Sequence, residues 1–398
     1  MSHFAKTLKE LQEQHLYREL RAIDGPQSTV ITHSGRDFIN FSSNDYLGLA
    51  NHPKMGKASV SAAQQLGTGS GASRLITGSF QLHEELEIAS ADFKGTEAAL
   101  LFNSGYTANL SALPALTREH DVIFSDELNH ASLIDGCRLS PARKTIFPHA
   151  NIEQLDELMK KEASIRKLGS KFWIVTDSLF SMDGDLAPLA QLSELATRYQ
   201  AYLYIDDAHG TGVYGESGKG LVDSLGLDKA NPQLIQLMTF SKALGSFGAS
   251  LCASREIINL LINKARGFIY STALPPAVVG ANLKALELVP QMVPERKQLW
   301  DNVSLLKSVL QTIFKNDKNH RLAPSQSPIL PIIFGNEELA LASSRHLFDE
   351  GLWAQAIRPP TVLAGTSRIR LTVTSEHTRH QIGKLQTALE NLELKIGL

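Results

Sequence analysis

The sequence predicts an α/β fold, with a mostly parallel sheet in a large domain and a smaller C-terminal α/β domain. From about residue 95, short apolar runs alternate with longer stretches of helical periodicity, which is typical of strands interleaved with covering helices. Several of these runs end in polar or glycine-rich turns, at the edge where parallel sheets bind their ligands. A diproline at Pro275-Pro276 then precedes a long helical stretch and two more strand-like runs, which indicates a second domain.

The N-terminal residues 1–45 are predicted to form a helix and a hairpin. Apolar residues recur at helical spacing between positions 4 and 20, which predicts an amphipathic helix. Two β-prone runs at residues 29–32 and 37–41 flank Ser34-Gly35, a pair that favours a turn. We therefore treat this segment as separate from the two domains.

The large domain, residues 46–275, is predicted to contain the parallel sheet. Its expected strands are residues 98–102, 122–124, 145–147, 172–175, 202–205, 234–238 and 249–252. All of them are short and apolar, as strands buried on both faces are. Because helical stretches separate them, we expect a sheet with helices on both sides.

The small C-terminal domain, residues 276–398, begins at Pro276, the second residue of the diproline. Its expected helices are residues 277–314, 337–350 and 376–392, and its expected strands are residues 329–334 and 368–373. This alternation again favours an α/β domain.

The composition is that of an ordinary globular protein. Of 398 residues, 43% are hydrophobic and 20% are charged, and 39 basic residues against 41 acidic ones give no basic surface for nucleic acid. The two cysteines, Cys137 and Cys252, are too few for a disulfide framework. Neither a signal peptide nor an apolar run of about 18 residues is visible, so we expect a cytoplasmic protein without membrane or nucleic-acid partners.

Two residues near neighbouring strand ends predict the class of chemistry. Asp206 follows the apolar run 202–205, and Lys242 follows the next run, 234–238. Most lysines are solvated surface residues, but a lysine in low-polarity surroundings becomes a nucleophile and base. An acid at a strand end is often a helix cap or half of a salt bridge, but it can also pair with a pyridinium nitrogen. Together these groups are what a protein needs to hold pyridoxal 5′-phosphate.

Three further residues are candidates for contacts with the ring of such a cofactor. His209 follows Asp206 by three residues and could form a hydrogen bond to the ring hydroxyl. His130 could stack on a flat ring, although a core histidine is the commoner explanation. Ser181 is equally ambiguous when taken alone.

A turn before a predicted helix offers a phosphate site. Ser104, Gly105 and Tyr106 follow a strand and open a helix, where backbone N–H groups favour an anion. A serine–glycine turn also occurs in ordinary loops, so this signal is weak. Thr239 and Thr272 could add hydroxyl contacts.

Arg370 is a charged residue within a strand pattern. A charge at such a position needs a partner, and an internal acid would be one. A substrate carboxylate would serve equally well.

Several motifs, taken together, resemble those of the α-oxoamine synthases. They are SSNDYLG at residues 42–48, GSGASR at 69–74, DDAHGTG at 206–212 and TFSK at 239–242. Their joint occurrence in this order is specific, and the resemblance runs from about residue 40 to residue 374. It implies a pyridoxal-phosphate-dependent transferase of the aspartate aminotransferase type, fold type I.

The resemblance also implies a role for each candidate residue. The implied catalytic residues are Lys242, His130, Asp206 and His209. The implied cofactor-binding residues are these four with Ser104, Gly105, Tyr106, Ser181, Thr239 and Thr272. The implied substrate-binding residues are Arg18, Asn44, Thr361 and Arg370. Lys242 would carry the cofactor, Asp206 would pair with its ring nitrogen, and Arg370 would bind the amino-acid carboxylate.

Residues 357–362 and 365–370 are similar to one group within the family. Its members condense L-alanine with a pimeloyl thioester, on coenzyme A or on acyl carrier protein, and release carbon dioxide in biotin synthesis. The resemblance also implies a homodimer, because a neighbouring chain usually completes the cofactor site in this fold.

Other functions remain open at this point. A family member could instead join glycine to a short acyl-CoA, as 2-amino-3-ketobutyrate ligase does. A transaminase would exchange amino groups without releasing a thiol. A non-catalytic regulatory subunit is disfavoured because Lys242, Asp206 and His209 are all present.

Overall fold

The computed structural model describes residues 2–227, 231–315 and 321–396. The chain folds into two compact units. The larger unit comprises Leu49–Phe180 and Leu186–Val293, and the smaller unit comprises Met1–Gly48, Ser181–Asp185 and Pro294–Leu398. Within the described ranges, no helix has both the length and the apolar composition needed to cross a bilayer.

The helices and strands are numbered here in chain order. The helices are α1 (His3–Glu13), α2 (Pro53–Leu66), α3 (Gln81–Lys94), α4 (Gly105–Leu116), α5 (Ala131–Leu139), α6 (Ile152–Ser164), α7 (Leu189–Tyr199), α8 (Leu221–Ser224), α9 (Arg255–Lys264), α10 (Arg266–Ile269), α11 (Pro276–Leu288), α12 (Val293–Ile313), α13 (Glu337–Asp349) and α14 (Arg379–Ile396). The strands are β1 (Val30–His33), β2 (Arg36–Asn40), β3 (Ala98–Phe102), β4 (Val122–Asp126), β5 (Arg143–Phe147), β6 (Phe172–Asp177), β7 (Tyr202–Asp206), β8 (Leu234–Thr239), β9 (Ala249–Ala253), β10 (Ile329–Gly335), β11 (Leu352–Trp353), β12 (Ala356–Ile357) and β13 (Ser367–Thr372).

In the described part of the chain, the larger unit contains a seven-stranded sheet. The strand order is β3-β9-β8-β7-β6-β4-β5. β9 runs antiparallel to both of its neighbours, and the other pairs are parallel. All residues of β3, β4, β6, β8 and β9 are buried, as expected for a sheet covered on both faces. The predicted mostly parallel sheet is confirmed.

Polar residues end the central parallel strands. Asp126 ends β4, Asp177 ends β6, Asp206 ends β7 and Thr239 ends β8. In the β6–β7 pair, Asp177 lies directly opposite Asp206. Because parallel strands share their carboxyl edge, the sheet gathers these side chains along one edge.

A buried ion pair fixes the chain just beyond β7. Lys94, at the end of α3, donates to Asp207 Oδ2 at 2.6 Å, and neither side chain is more than 1% exposed. Lys94 Nζ also donates to Thr211 Oγ1 at 2.9 Å and to the carbonyl of Lys219 at 2.7 Å. Ser178 Oγ donates to Asp207 Oδ1 at 2.6 Å. These hydrogen bonds offset the cost of removing both charges from water.

Two small sheets organise the described part of the smaller unit. β10, β13 and β12 form an antiparallel sheet in that order. β1 and β2 form the predicted hairpin around Ser34-Gly35, and β11 adds to β2 in parallel. Phe38 stacks on Phe348 with ring centroids 4.3 Å apart, and Trp353 packs edge-on against Phe38. This aromatic cluster attaches the N-terminal hairpin to α13 and β11.

A short segment of the smaller unit, Ser181–Asp185, comes from the middle of the sequence. Arg368 on β13 donates to Asp183 Oδ1 at 2.5 Å. Gly184 has a φ of 77°, and a Cβ there would overlap the carbonyl of Ile329 on β10. Only glycine allows this conformation and this close approach. The segment is therefore held by β10 and β13.

Two helices differ from their predicted bounds. α1 ends at Glu13 rather than near residue 20, and His15 adopts a φ of 57°, which is incompatible with a continuing right-handed helix. The long helix predicted at residues 277–314 is divided into α11 and α12. Pro290 and Pro294 lack the N–H group that a continuous helix needs, which explains the break.

The compact units also differ from the predicted domains of residues 1–45, 46–275 and 276–398. The division falls at Val293 rather than after residue 275, because α11 packs against α2 and α3 of the larger unit. Gly280 on α11 lies against Ala58 and Ala62 of α2, which permits a close helix contact. The N-terminal residues join the smaller unit because β2 pairs with β11.

Replacing Lys94 with methionine should destabilise the protein by about 3–5 kcal/mol, because Asp207 would remain buried without its counter-charge. The free energy of unfolding in urea measures this loss. Lys297→Met is a matched control, since the Lys297–Asp301 pair is exposed and its loss should cost less than about 1 kcal/mol. Equal losses in the two variants would contradict the importance given to the buried pair.

His377 is held in its neutral form inside the smaller unit. The N–H of Thr374 donates to Nδ1 at 3.0 Å, so the proton lies on Nε2, which donates to the carbonyl of Asn40 at 3.1 Å. Burial lowers the pKa of His377 from 6.5 to about 4. The unfolded state therefore binds more protons between these two pH values. The stabilisation is complete above pH 6.5 and is lost as the pH falls towards 4.

We expect acidification from neutral pH to pH 4 to lower the stability of the natural protein by about 3 kcal/mol more than that of His377→Gln. Urea unfolding at a series of pH values gives this difference. His120→Gln, which alters an exposed histidine, should follow the natural protein. Parallel curves for the natural protein and His377→Gln would show that His377 is not the group that titrates.

Candidate active site

Asp206 ends β7 with its carboxylate buried. Asn109 Nδ2 donates to Oδ2 at 2.8 Å, and the N–H of Ala208 donates to Oδ1 at 3.0 Å. Both donors are neutral amides, which stabilise the negative charge without cancelling it. A cationic group of a ligand would complete this arrangement.

Lys242 lies on the loop that follows β8. Ala243 and Leu244 beside it are fully buried, whereas Lys242 itself is half-buried. The N–H of Gly245 donates to the carbonyl of Lys242 at 2.8 Å and closes a tight turn with a φ of 65° at Gly245. A Cβ at Gly245 would overlap the backbone of Leu49, so the close packing of this loop depends on glycine. The tightly packed loop therefore restricts the position of the Lys242 amine.

His130 precedes α5 and lies close to three titratable groups, Asp177, Asp206 and Lys242. Its N–H donates to Asp177 Oδ2 at 2.6 Å. Burial and the charge of Asp206 raise the pKa of Asp177 well above its usual value. Loss of contact with water lowers the pKa of His130. The negative charge of Asp206 opposes this shift, and the positive charge of Lys242 adds to it. The exposed ring of His130 is therefore neutral at neutral pH and can stack on a flat ring.

The start of α4 is built to receive an anion. Ser104 caps the helix, and its Oγ accepts the N–H of Thr107 at 3.1 Å. The first N–H groups of the helix, those of Gly105 and Tyr106, have no acceptor within the helix and are available to a phosphate. The ring of Tyr106 stands edge-on to that of His130, with centroids 6.5 Å apart. The sequence prediction for this turn is thus compatible with its geometry.

The other candidates of the larger unit lie at strand ends or in loops. The hydroxyl of Thr239 donates to the carbonyl of Gly248 at 3.0 Å. His209 is buried three residues beyond Asp206. Thr272 is exposed, and its carbonyl accepts a hydrogen bond from Asn103 at 3.0 Å. The structure therefore brings Thr239 to the sheet edge of Asp206 and leaves the side chain of Thr272 in solvent.

These groups suit the chemistry of pyridoxal phosphate. The buried carboxylate of Asp206 matches a protonated ring nitrogen, and the neutral ring of His130 matches a stacking contact. The start of α4 matches the phosphate, and a Cβ on Gly105 would meet only Leu237, at 3.8 Å, so the approach to its N–H is open. The amine of Lys242 matches the aldehyde.

The smaller unit brings Asn44, Ser181 and Arg370 together. Arg370 Nε, on β13, donates to the carbonyl of Ser181. The guanidinium also forms a hydrogen bond with the buried Tyr46. Burial raises the pKa of Tyr46, against the opposing effect of the charge of Arg370. Tyr46 in turn donates to Asn44 Oδ1 at 3.4 Å. Ser181 thus contributes its carbonyl to this cluster.

Arg18 and Thr361 belong to two segments that hold each other in place. Arg18 Nη2 donates to the carbonyl of Pro359 at 2.8 Å. Arg358 donates to the carbonyl of Tyr17 at 3.2 Å, and the N–H of Thr361 donates to the carbonyl of Arg358 at 3.1 Å. The side chains of Arg18 and Thr361 are exposed.

The sequence analysis missed Asn109, Asp177 and Tyr46. Asp177 ends a strand as Asp206 does, so the same signal was available for it. Asn109 lies within a helix, and its contact with Asp206 joins residues 97 positions apart. No local pattern marks such a contact.

Comparisons with known proteins show the family to which the chain belongs. A family model described as aminotransferase class I and II matches residues 36–389. The chain is 46% identical over 393 residues to an 8-amino-7-oxononanoate synthase of Pelobacter propionicus, and the match covers 98% of each chain. It is 45% identical over 396 residues to the 8-amino-7-oxononanoate synthase of Geobacter sulfurreducens, covering 99% of this chain and 98% of that one.

A solved structure shows the same architecture. A lysine-to-alanine variant of a serine palmitoyltransferase from S. paucimobilis, with a bound PLP–myriocin aldimine, is 26% identical, with a TM-score of 0.90, and the match covers 99% of this chain and 97% of that one. The predicted fold type is thereby confirmed. The chain belongs to the aminotransferase class I and II family.

Proposed function

We propose that the protein is a pyridoxal-phosphate-dependent acyltransferase that condenses L-alanine with a pimeloyl thioester to form 8-amino-7-oxononanoate, a step of biotin synthesis. Two relatives that carry the name of this enzyme match the present chain over nearly the whole length of both proteins. The observation that carries the proposal is the buried Asp206 carboxylate, stabilised by neutral donors at the same sheet edge as the loop of Lys242. Buried ionisable groups cluster at functional sites, where they match charges on ligands.

Bound pyridoxal phosphate would supply an aldehyde that reacts with amines and a ring that accepts electrons. Asp206 would hold the proton on the ring nitrogen, and the neutral ring of His130 would support one face. The N–H groups of Gly105 and Tyr106 would bind the phosphate, with the hydroxyl of Thr239 and the exposed Thr272 as further contacts. His209 and Ser181 are proposed to contact the ring oxygen.

Lys242 would move the protons. Its Nζ would hold the cofactor before alanine enters, accept the proton from Cα of alanine, and return a proton to the same carbon in the product. Arg370 would bind the alanine carboxylate until that group leaves, with Asn44 beside it. The packed loop around Lys242 keeps the amine in position between these steps.

The balance of the reaction follows from these roles. A carbon–carbon bond forms between Cα of alanine and the carbonyl carbon of the thioester, and the carbon–sulfur bond breaks. The leaving thiolate takes up one proton from solvent, while Lys242 holds the proton removed from alanine. The bond from Cα to the carboxylate then breaks to release carbon dioxide, and a proton from Lys242 takes its place.

The acyl substrate is proposed to meet Arg18 and Thr361 of the smaller unit. The exposed guanidinium of Arg18 suits the distal carboxylate of a pimeloyl chain. The carrier is coenzyme A or an acyl carrier protein. We also propose that the enzyme acts as a cytoplasmic homodimer, in which Thr272 serves the site of the neighbouring chain.

Incubation of the purified protein with L-alanine and pimeloyl-CoA, and separately with pimeloyl-acyl carrier protein, tests the reaction. We expect mass spectrometry to detect 8-amino-7-oxononanoate, with one thiol and one carbon dioxide per product, from at least one carrier. Glycine with acetyl-CoA is the control and should give little product. Turnover of that pair alone would assign the protein to the glycine acyltransferases, and amino-group exchange without thiol release would assign it to the transaminases.

Lys242→Ala should lower turnover by at least about 10²–10⁴-fold, because the variant lacks both the proton-transfer group and the amine that holds the aldehyde. It should also lose the visible absorbance that lysine-bound cofactor gives. Lys264→Ala, an exposed lysine of the same unit, should keep both properties. Normal absorbance and turnover in Lys242→Ala would refute the role of Lys242.

A further inference from the structure

Asn109 occupies the centre of a buried hydrogen-bond chain in the larger unit. It lies in α4, one turn beyond the residues expected to bind phosphate, and it is fully buried. Its Oδ1 accepts the hydroxyl of Tyr204 at 2.8 Å. Its Nδ2 donates to Asp206 Oδ2 at 2.8 Å and to Ser132 Oγ at 2.9 Å. The side chain therefore uses both amide hydrogens and its carbonyl oxygen.

The orientation of this amide is fixed by its neighbours. A flipped amide would direct Oδ1 at the carboxylate of Asp206, and two acceptors would repel each other. It would also direct the NH₂ group at Tyr204. Burial and the charge of Asp206 raise the pKa of Tyr204 well above its usual value, so its hydroxyl keeps its proton and serves as a donor. Only one orientation satisfies all three partners.

The chain of hydrogen bonds continues from Asn109 through Ser132 to His130. Because Ser132 Oγ accepts from Asn109, its own proton points along the 2.7 Å contact to Nδ1 of His130. The N–H of Ser132 is also directed at Nδ1, at 3.3 Å. Because two donors face Nδ1, that nitrogen must be unprotonated and must accept through its lone pair. The proton of the neutral imidazole must then lie on Nε2.

Helix packing places the members of this chain within reach. Gly136 on α5 faces the backbone of α4, and a Cβ there would lie 2.5 Å from the carbonyl oxygen of Asn109. The missing side chain allows α4 and α5 to approach closely. Ser132 lies one turn before Gly136 on the same helix, and it is brought against Asn109 by this contact.

We propose that Asn109 is a positioning residue that links the ring-pairing carboxylate of Asp206 to the ring-stacking His130 and, through Ser132, holds His130 as the Nε2–H tautomer. This inference rests on the proposed function for the roles of Asp206 and His130. It goes beyond that function because it assigns the proton of His130 and names the two residues that place it. The chain fixes the carboxylate and the imidazole relative to each other before a cofactor binds.

The tautomer is the first test. In protein labelled with ¹⁵N-histidine, the ring signals of His130 are assigned by their absence from His130→Gln. At neutral pH we expect a neutral ring with its proton on Nε2, in the cofactor-loaded protein and again after the cofactor is removed. A proton on Nδ1, or a cationic ring, would overturn the proposal.

The second test breaks the chain at Ser132. Ser132→Ala removes the hydroxyl donor to Nδ1, and we expect the Nδ1–H tautomer of His130 to become populated. Ser111→Ala removes another buried hydroxyl, on the helix of Asn109 and outside the chain, and it should leave the His130 signals unchanged. A purely structural role for Ser132 would alter stability without altering the tautomer. An unchanged tautomer in Ser132→Ala would therefore contradict the proposal.

The third test concerns the other end of the chain. Asn109→Ala should raise the dissociation constant of pyridoxal phosphate by about 10-fold or more, because Asp206 loses a hydrogen bond to its charge. It should also disturb the His130 tautomer as Ser132→Ala does, and the double variant should disturb it no further. If Asn109→Ala left the His130 tautomer unchanged, the proposed link between Asn109 and His130 would be contradicted. If this variant does not fold, the natural protein and Ser132→Ala still decide the question.

Failure of the proposed function has a different signature. If the protein does not bind pyridoxal phosphate, the proposed function falls, while the tautomer in the cofactor-free protein remains measurable. If the cofactor binds and the tautomer is wrong, only the present inference falls.

Discussion

The buried negative charge of Asp206 is the constraint on which the rest of the site depends. Removing a carboxylate from water is costly unless donors and a counter-charge replace the water. The chain supplies the donors from Asn109 and Ala208, but it pairs the buried ammonium of Lys94 with Asp207. The two adjacent acids therefore differ in function. Asp207 is neutralised within the protein and anchors the backbone, while Asp206 is held by neutral donors and is the acid proposed to pair with the cofactor.

The neighbouring strand end strengthens this division. Asp177 lies opposite Asp206 in the sheet, and two carboxylates so placed cannot both ionise without repulsion. The raised pKa of Asp177 relieves the repulsion by favouring its protonated form. Asp177 also accepts the N–H of His130, so the residue whose protonated form is favoured still positions this histidine.

The sequence predicted those features that depend on neighbours along the chain. The strands of the larger unit are continuous apolar runs, and Asp206 and Lys242 stand just beyond two of them, so both pattern and position were visible. The break at Pro290 and Pro294 was present in the sequence but was outweighed by the helical periodicity around it. Asn109 could not be found in this way. Its role comes from the approach of α4 to α5 and β7, which only the folded chain creates.

The residues proposed for chemistry and those proposed for substrate recognition lie on different units. The larger unit carries Lys242 and Asp206, and the smaller unit carries Arg370. The segment Ser181–Asp185 extends this division, because Arg370 donates to its first carbonyl and Arg368 to the carboxylate of Asp183. Arg368 thus fixes the segment whose carbonyl orients Arg370. In the proposed function, binding of the amino-acid carboxylate by Arg370 therefore depends on an arginine that need not touch the substrate.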